Sequence, residues 1–399
     1  DLGMASKINF GGSQPINGKW RAIAGLDYEF VNQDFKEIER FRSVEFDRDW
    51  NIRSIKLQDN QSIIGAEIGV AKAKEFKTIY GIKSYNAGTA FRGIQNALTI
   101  SSQTDRLRSN YAGSLTNQAG NLINAQFYQH NSEVVVPIWK IQLGYKDDFE
   151  QNMRYDPKND TLSKLSYQFW EWEASVASAD TAKNHHRISY AERTDWLKDT
   201  TTLAKSTFAR IYGYQMEWNG MEHSRLVFRV NYRTLDIVNQ KLTPLKKENT
   251  LISRVEYSFR ALKGALSSST FYEIGSGLEN KREFIFIETG PGQGTHIHID
   301  YNNNGQKELD EFEQAIQVDQ IASANYIKVF VPTDDYVRAF TNQFTQTLFL
   351  RPAAVWRSKS GVRKAISLFS DQFTYSSDRK NLQLPLVDQF NPFLFDLQD

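Results

Sequence analysis

The stretch Arg225-Leu226-Val227-Phe228-Arg229-Val230-Asn231-Tyr232-Arg233-Thr234 sets Leu226, Phe228, Val230 and Tyr232 against Arg225, Arg229, Asn231 and Arg233, with Val227 the exception. A period of two belongs to a strand, where neighbouring side chains point to opposite faces. Residues 251–261 repeat it, Val255, Tyr257 and Phe259 opposing Arg254, Glu256, Ser258 and Arg260. Near the start, Trp20, Ala22, Ala24, Leu26, Tyr28 and Phe30 oppose Arg21, Ile23, Gly25, Asp27 and Glu29. Trp139, Ile141, Leu143 and Tyr145 likewise oppose Lys140, Gln142, Gly144 and Lys146. Weaker alternation predicts further strands, among them 62–73, 77–85, 164–177, 207–218, 266–275, 336–351 and 362–375.

Several of these segments reach the roughly ten residues that a tilted strand needs to cross a bilayer. Asp59-Asn60, Asn86-Ala87-Gly88, Asp156–Asp160, Asn219-Gly220, Gly275-Ser276-Gly277 and Ser376-Ser377-Asp378 read as turns between them, because these residue types supply the backbone angles of hairpins. The fold expected is all-β: an antiparallel up-and-down transmembrane β-barrel, or a large part of one, of roughly 12 to 16 strands. Soluble sandwiches and solenoids also alternate. Strand length, arginine recurring on the polar faces, and Trp20, Trp139, Trp196 and Trp218 near strand ends favour the barrel, since tryptophan suits a membrane–water boundary.

Bulk composition narrows the function. Lysine plus arginine is 48 and aspartate plus glutamate 47 in 399 residues, so there is no electrostatic footprint for nucleic acid. No apolar run approaches the roughly 18 residues of a membrane-spanning helix. With no cysteine, disulfide scaffolds, cysteine–zinc sites and thiol nucleophiles are excluded. Residues 1–399 read as one β-barrel region. Asp1-Leu2-Gly3-Met4 lacks a signal peptide, and Phe393–Asp399 carries no recognisable closing signal; both suit a fragment of a longer chain.

The sharpest motif is an insert at 290–322 containing Asp300-Tyr301-Asn302-Asn303-Asn304-Gly305-Gln306-Lys307-Glu308-Leu309-Asp310-Glu311. It fits the calcium-loop pattern D-x-[DN]-x-[DN]-G-x5-E. Asp300, Asn302 and Asn304 would supply side-chain oxygens, Gln306 a carbonyl, Glu308 a ligand through water and Glu311 a bidentate carboxylate. Lys307 departs from the pattern, and Thr295–Ile299 reads as a strand where a helix is usual. Leu309, Phe312, Ala315 and Ile316 have helical spacing, so a strand–loop–helix site with structural calcium is expected; an asparagine-rich turn is the plainer reading. His296 and His298 share a strand face but are too few for a metal site, and His185-His186 reads as a turn-edge pair.

Gly290-Pro291-Gly292-Gln293-Gly294 lacks the flanking elements of a phosphate loop and is expected to turn the chain into the insert. Among carboxylates such as Glu171, Glu173, Asp147 and Asp148 no acid–base pair stands out, and no hydrolase motif occurs, so an enzyme is disfavoured.

Gly294–Glu313, Ala324–Thr333, Phe340–Phe344 and Phe46-Asp47-Arg48-Asp49-Trp50 together resemble large uncharacterised outer-membrane β-barrel proteins of Bacteroidota. The resemblance implies the bacterial outer membrane as location and supplies no catalytic residue. The function expected is an outer-membrane barrel that transports, exports, or displays and scaffolds other molecules. Its expected partners are outer-membrane lipid and other outer-membrane or surface proteins. The alternative is a secreted, calcium-stiffened β-rich adhesin or carbohydrate-binding module, and the third reading a barrel-embedded hydrolase.

Overall fold

The computed structural model describes residues 3–37, 41–43, 45–53, 55, 57–220, 223–301, 305, 307–381, 391 and 393. Its contacts divide into two compact units, residues 1–271 with 347–373 and residues 272–346 with 374–399.

The first unit is an antiparallel meander. Its strands are β1 (Ala5–Asn17), β2 (Trp20–Val31), β3 (Gln61–Lys72), β4 (Phe76–Ala87), β5 (Phe91–Gln103), β6 (Arg108–Ala119) and β7 (Asn124–Ile138). They continue as β8 (Ile141–Tyr155), β9 (Tyr167–Ser178), β10 (His185–Lys198), β11 (Leu203–Trp218), β12 (Ser224–Ile237) and β13 (Glu248–Ala261). Each pairs with the next in sequence. The strands run 12 to 16 residues, two to three times the usual length in soluble sheets.

Register carries the alternation from strand to strand. Phe10, Leu26, Ala66 and Ile82 form one cross-strand row; Tyr190, Tyr212, Tyr232 and Leu251 form another. A slip of one residue would move a whole strand's apolar set to the other face, and such rows hold the register through cross-strand packing. The burial is the reverse of a water-soluble sheet. On the apolar face Leu26 is 61% and Ile68 65% exposed, whereas on the polar face Gln118 is 3% and Glu150 7% exposed. Leu226, Phe228 and Val230 share the apolar face with Val255, Tyr257 and Phe259, and Arg229 stands opposite Arg254 on the polar face, as the sequence predicts.

The two ends of the meander differ. At one end the connections are short: 18–19, 73–75, 104–107, 139–140, 179–184 and 219–223. At the other lie the long segments 32–60, 156–166 and 238–247 among shorter turns. Trp20 opens β2, Trp218 closes β11 and Trp139 occupies the β7–β8 turn at φ 54°, all at the short-turn end. Trp139 therefore stands outside the strand predicted for it.

Beyond β13 a turn at 262–265 leads into β14 (Leu266–Glu288). In the second unit β14 pairs with β17 (Tyr326–Leu350), and the insert contributes β15 (His296–His298), β16 (Phe312–Gln314) and helix α2 (Val318–Ser323); α1, given below, precedes it in the chain. β18 (Asp371–Asn381) follows two short helices, α3 (Ala353–Trp356) and α4 (Val362–Ile366).

Three expectations are corrected. Gly275–Gly277 and Ser376–Asp378 lie inside β14 and β18, where ladder hydrogen bonds override turn preference. The strand expected over 362–375 is helical over its first residues, because Val362 and Ile366 fit a 3.6 period as well as a period of two. The helix expected after the calcium-like loop is a single 3-10 turn, Leu309–Glu311, giving way to β16, since Phe312 and Gln314 pair with His298 and His296.

Candidate functional site

The most elaborated part of the polar face is covered by the chain itself. After β2 the chain folds back, and the described residues between 42 and 57 lie against the ends of β2–β8 nearest the long connections. The short helix α1 (Phe46–Asp49) carries acidic Asp47 and Asp49 in its only turn, where they suit the helix dipole.

An apolar foot seats this clasp. Trp50 is buried against Tyr85 (centroids 5.2 Å, 81° between planes) and Phe91 (6.2 Å), with Ile52, Ile63, Ala87, Ile123 and Ala125 around them. Phe46, Ile55 and Leu57 pack on the same cluster. Room for the indole comes from Gly93: a Cβ there would stand 2.6 Å from Trp50 Cζ3.

Polar contacts fix its position. Arg42 Nε donates to Glu29 Oε1 (2.6 Å) and its Nη1 to Gln61 Oε1 (2.6 Å), while the guanidinium lies 4.3 Å from the Phe46 ring centroid. Tyr85 donates to the same Gln61 oxygen (2.7 Å). Arg48 pairs with Glu150, whose other oxygen accepts from Tyr167 (3.0 Å). Asn51, held at φ 52°, donates from Nδ2 to Gln118 Oε1 (3.0 Å) and Asn152 Oδ1 (3.1 Å), and accepts from Asn152 Nδ2 (2.6 Å). Asp49 accepts from Gln129 Nε2 (3.3 Å). Burial lifts the Asp49 carboxyl above its ordinary value, with the Gln129 hydrogen bond and Arg48 opposing.

Further round the polar face lie ionic contacts. Arg193 meets Glu171 (3.3 Å) and Asp195 (2.9 Å), Arg187 pairs with Glu173, and Arg108 reaches Asp180 (2.6 Å) and Gln142 (2.6 Å). Asp148 stands across from Glu171 in register. Asp147 lies on the apolar face, bound to His130 Nε2 (3.0 Å), the Tyr145 hydroxyl (3.2 Å) and Trp170 Nε1 (3.4 Å). The four carboxylates noted in the sequence thus divide between faces, and the arrangement binds and fills a polar surface.

The calcium-like loop is only partly described. Asn302, Asn304 and Gln306 lie outside the described residues. Asp300 Oδ2 accepts from the Gly305 amide (2.9 Å). Glu311 is buried, its Oε2 taking the Glu308 amide (3.1 Å) and His298 Nε2 (3.1 Å) in a reciprocal cap with Glu308, and its Oε1 has no hydrogen-bond partner among the described residues. Among the described residues no group of three or more histidines and carboxylates converges as a metal site. His296 bonds Thr295 (2.9 Å) and, among the described residues, shares no side-chain hydrogen-bond partner with His298. His186 at the start of β10 bonds the Tyr214 hydroxyl (3.0 Å). Gly290–Gln293 forms a turn ahead of β15, as expected.

Reading the sequence missed the clasp. Its one local signal is Phe46-Asp47-Arg48-Asp49-Trp50, two aromatics a helical turn apart with charges between them.

No family model and no curated protein matches the chain. Among solved structures it is similar to the crystal structure of the siderophore receptor PirA from Pseudomonas aeruginosa, at 11% identity and a TM-score of 0.40, the alignment covering 95% of this chain and 68% of that one.

Proposed function

We propose that the chain forms the wall of an outer-membrane β-barrel that transports, exports or displays other molecules, with residues 42–57 occupying part of its interior. One observation carries the reading: a continuous apolar face stays exposed across thirteen consecutive antiparallel strands while glutamate, glutamine and asparagine are buried behind it. In water that apolar surface, far beyond a few hundred Å², would be an aggregation site. Against acyl chains it is matched, and strands of this length span the hydrocarbon. The short and long connections at opposite ends follow the pattern of periplasmic turns and extracellular loops, which supports reading the clasp as lying on the outer side. The expected partners are lipid along the apolar face and surface proteins at the long loops.

The absence of cysteine makes the test clean. Spin labels at Ile68→Cys and Glu67→Cys, on opposite faces of β3, are compared in membranes. Oxygen should relax the first and a water-soluble nickel chelate the second. A label at residue 68 that the chelate reaches freely removes the barrel reading.

For the insert we propose structural calcium at Asp300, Asn302, Asn304, Gln306, Glu308 and Glu311. The ligand spacing and the buried Glu311 oxygen, which has no partner among the described residues, support it, since a cation would compensate a charge held away from water. Calcium should then protect residues 300–311 from protease; unchanged cleavage would count against the site.

A further inference from the structure

We propose that residues 351–369 form a surface hook that binds the phosphate headgroups of anionic lipid at the short-turn edge of the sheet; this rests on the membrane reading above. The segment Arg351-Pro-Ala-Ala-Val-Trp-Arg-Ser-Lys-Ser-Gly-Val-Arg-Lys-Ala-Ile-Ser-Leu-Phe369 carries Arg351, Arg357, Lys359, Arg363 and Lys364 and no acidic residue, in a chain whose charges otherwise nearly cancel. None of these five cations has a carboxylate partner among the described residues.

Its apolar residues are equally unpaired. Val362 is 76%, Leu368 77% and Phe369 72% exposed, although Ser367 between them is buried and its hydroxyl donates to the Lys364 carbonyl (2.7 Å). The segment is therefore ordered, with its oily side chains turned outward. Basic and apolar side chains presented together on an ordered stretch are what an interfacial element needs: cations attract the headgroups and apolar groups enter the acyl boundary. An acidic protein would satisfy the charges but gives no reason to expose leucine and phenylalanine beside them.

Placement agrees. The Arg351 amide donates to the Ala265 carbonyl (2.7 Å), which ties the segment to the β13–β14 turn. That turn is at the short-connection end, with Trp20, Trp139 and Trp218, residues suited to a bilayer boundary. Beside it opens a cavity of about 600 Å³ lined by His223, Arg225, Arg260, Ser258, Ser267 and Ser269 among others, with no carboxylate among the described residues of its wall. Glu217 neutralises Arg225 (2.7 Å); Arg260 has no ion pair among the described residues. Guanidinium and hydroxyl donors around one space suit a tetrahedral oxyanion, so the whole rim favours phosphate.

The test uses the full chain reconstituted in vesicles of phosphatidylcholine alone or with phosphatidylglycerol. Environment-sensitive labels sit at Leu368→Cys and, as control, Ile68→Cys. With phosphatidylglycerol the Leu368 label should move into an apolar environment and stay there in millimolar inorganic phosphate. Each cation near an anionic bilayer strengthens association by roughly fivefold. Reversing four of them (Arg357→Glu, Lys359→Glu, Arg363→Glu, Lys364→Glu) should therefore return the Leu368 label to water while the Ile68 label stays in lipid, which shows that the variant is folded. A Leu368 label in water in both vesicle types overturns the hook and leaves the barrel standing. Release by free phosphate overturns lipid as the source of the oxyanion, and burial that requires an added acidic protein overturns it in favour of that partner. If the Ile68 label is also in water, the barrel reading itself fails.

Discussion

Replacing Trp50 by alanine separates the clasp from the wall. The indole is almost wholly buried among Tyr85, Phe91 and Phe46. A side chain of this size covers on the order of 200 Å², worth about 5 kcal/mol at ~25 cal/mol per Å². Partial collapse of the site and residual burial in the undocked state bring the expected loss to about 3–5 kcal/mol. At ~1.4 kcal/mol per tenfold, the docking equilibrium of residues 42–57 falls by two to four orders of magnitude. The sheet should survive, because its ladder runs between neighbouring strands and does not pass through the clasp. Limited proteolysis reads this directly: Trp50→Ala should expose Arg48 and Arg53 to trypsin while the strands stay protected, and, on the barrel reading proposed above, ion conductance through the reconstituted protein should rise. Unchanged cleavage at both arginines would refute the reasoning, as would loss of the whole sheet.

Gly93→Ala should have a smaller effect of the same kind, since its Cβ would strike the Trp50 ring; amide exchange of residues 46–52 should quicken while β5 is unchanged. Arg48→Met should cost about 2 kcal/mol of docking by stranding the Glu150 carboxylate, and the double change with Glu150→Met should recover most of it in a thermodynamic cycle. The raised Asp49 carboxyl means that protonation favours the docked state: its contribution is full below the ordinary carboxylate value and is lost as pH rises through the elevated one. Clasp protection should therefore weaken from pH 4 to pH 7, and Asp49→Asn should flatten that slope. Glu311→Ala should abolish any calcium-dependent protection of residues 300–311 without altering heat stability of the strands.

The strands were legible because register makes each one repeat the same two-sided demand. Leu226, Phe228 and Val230 read as one face in isolation, and pairing with β11 and β13 only extends it. The clasp was not legible, because its partners are remote: nothing near Asn51 announces Gln118 or Asn152, and polar residues on a polar face look alike whether they meet water or a folded-back segment. Val362–Ile366 was ambiguous on period alone. Leu309–Ile316 misled because helical spacing was outweighed by pairing with His296–His298, a contact made across the loop.

The clasp also bears on the order in which the chain assembles. Apart from β2–β3, whose connection spans 32–60, the hairpins of the meander close through shorter connections, so the sheet can be laid down strand by strand at low entropic cost. Arg48 and Glu150, or Asn51 and Asn152, are separated by 102 and 101 positions. These last contacts must therefore wait until β8 is in place, long after residues 42–57 have emerged. A chain halted before β8 leaves Arg48 without the Glu150 carboxylate and Asn51 without Asn152. The complete set of clasp contacts therefore exists only once the first eight strands are paired.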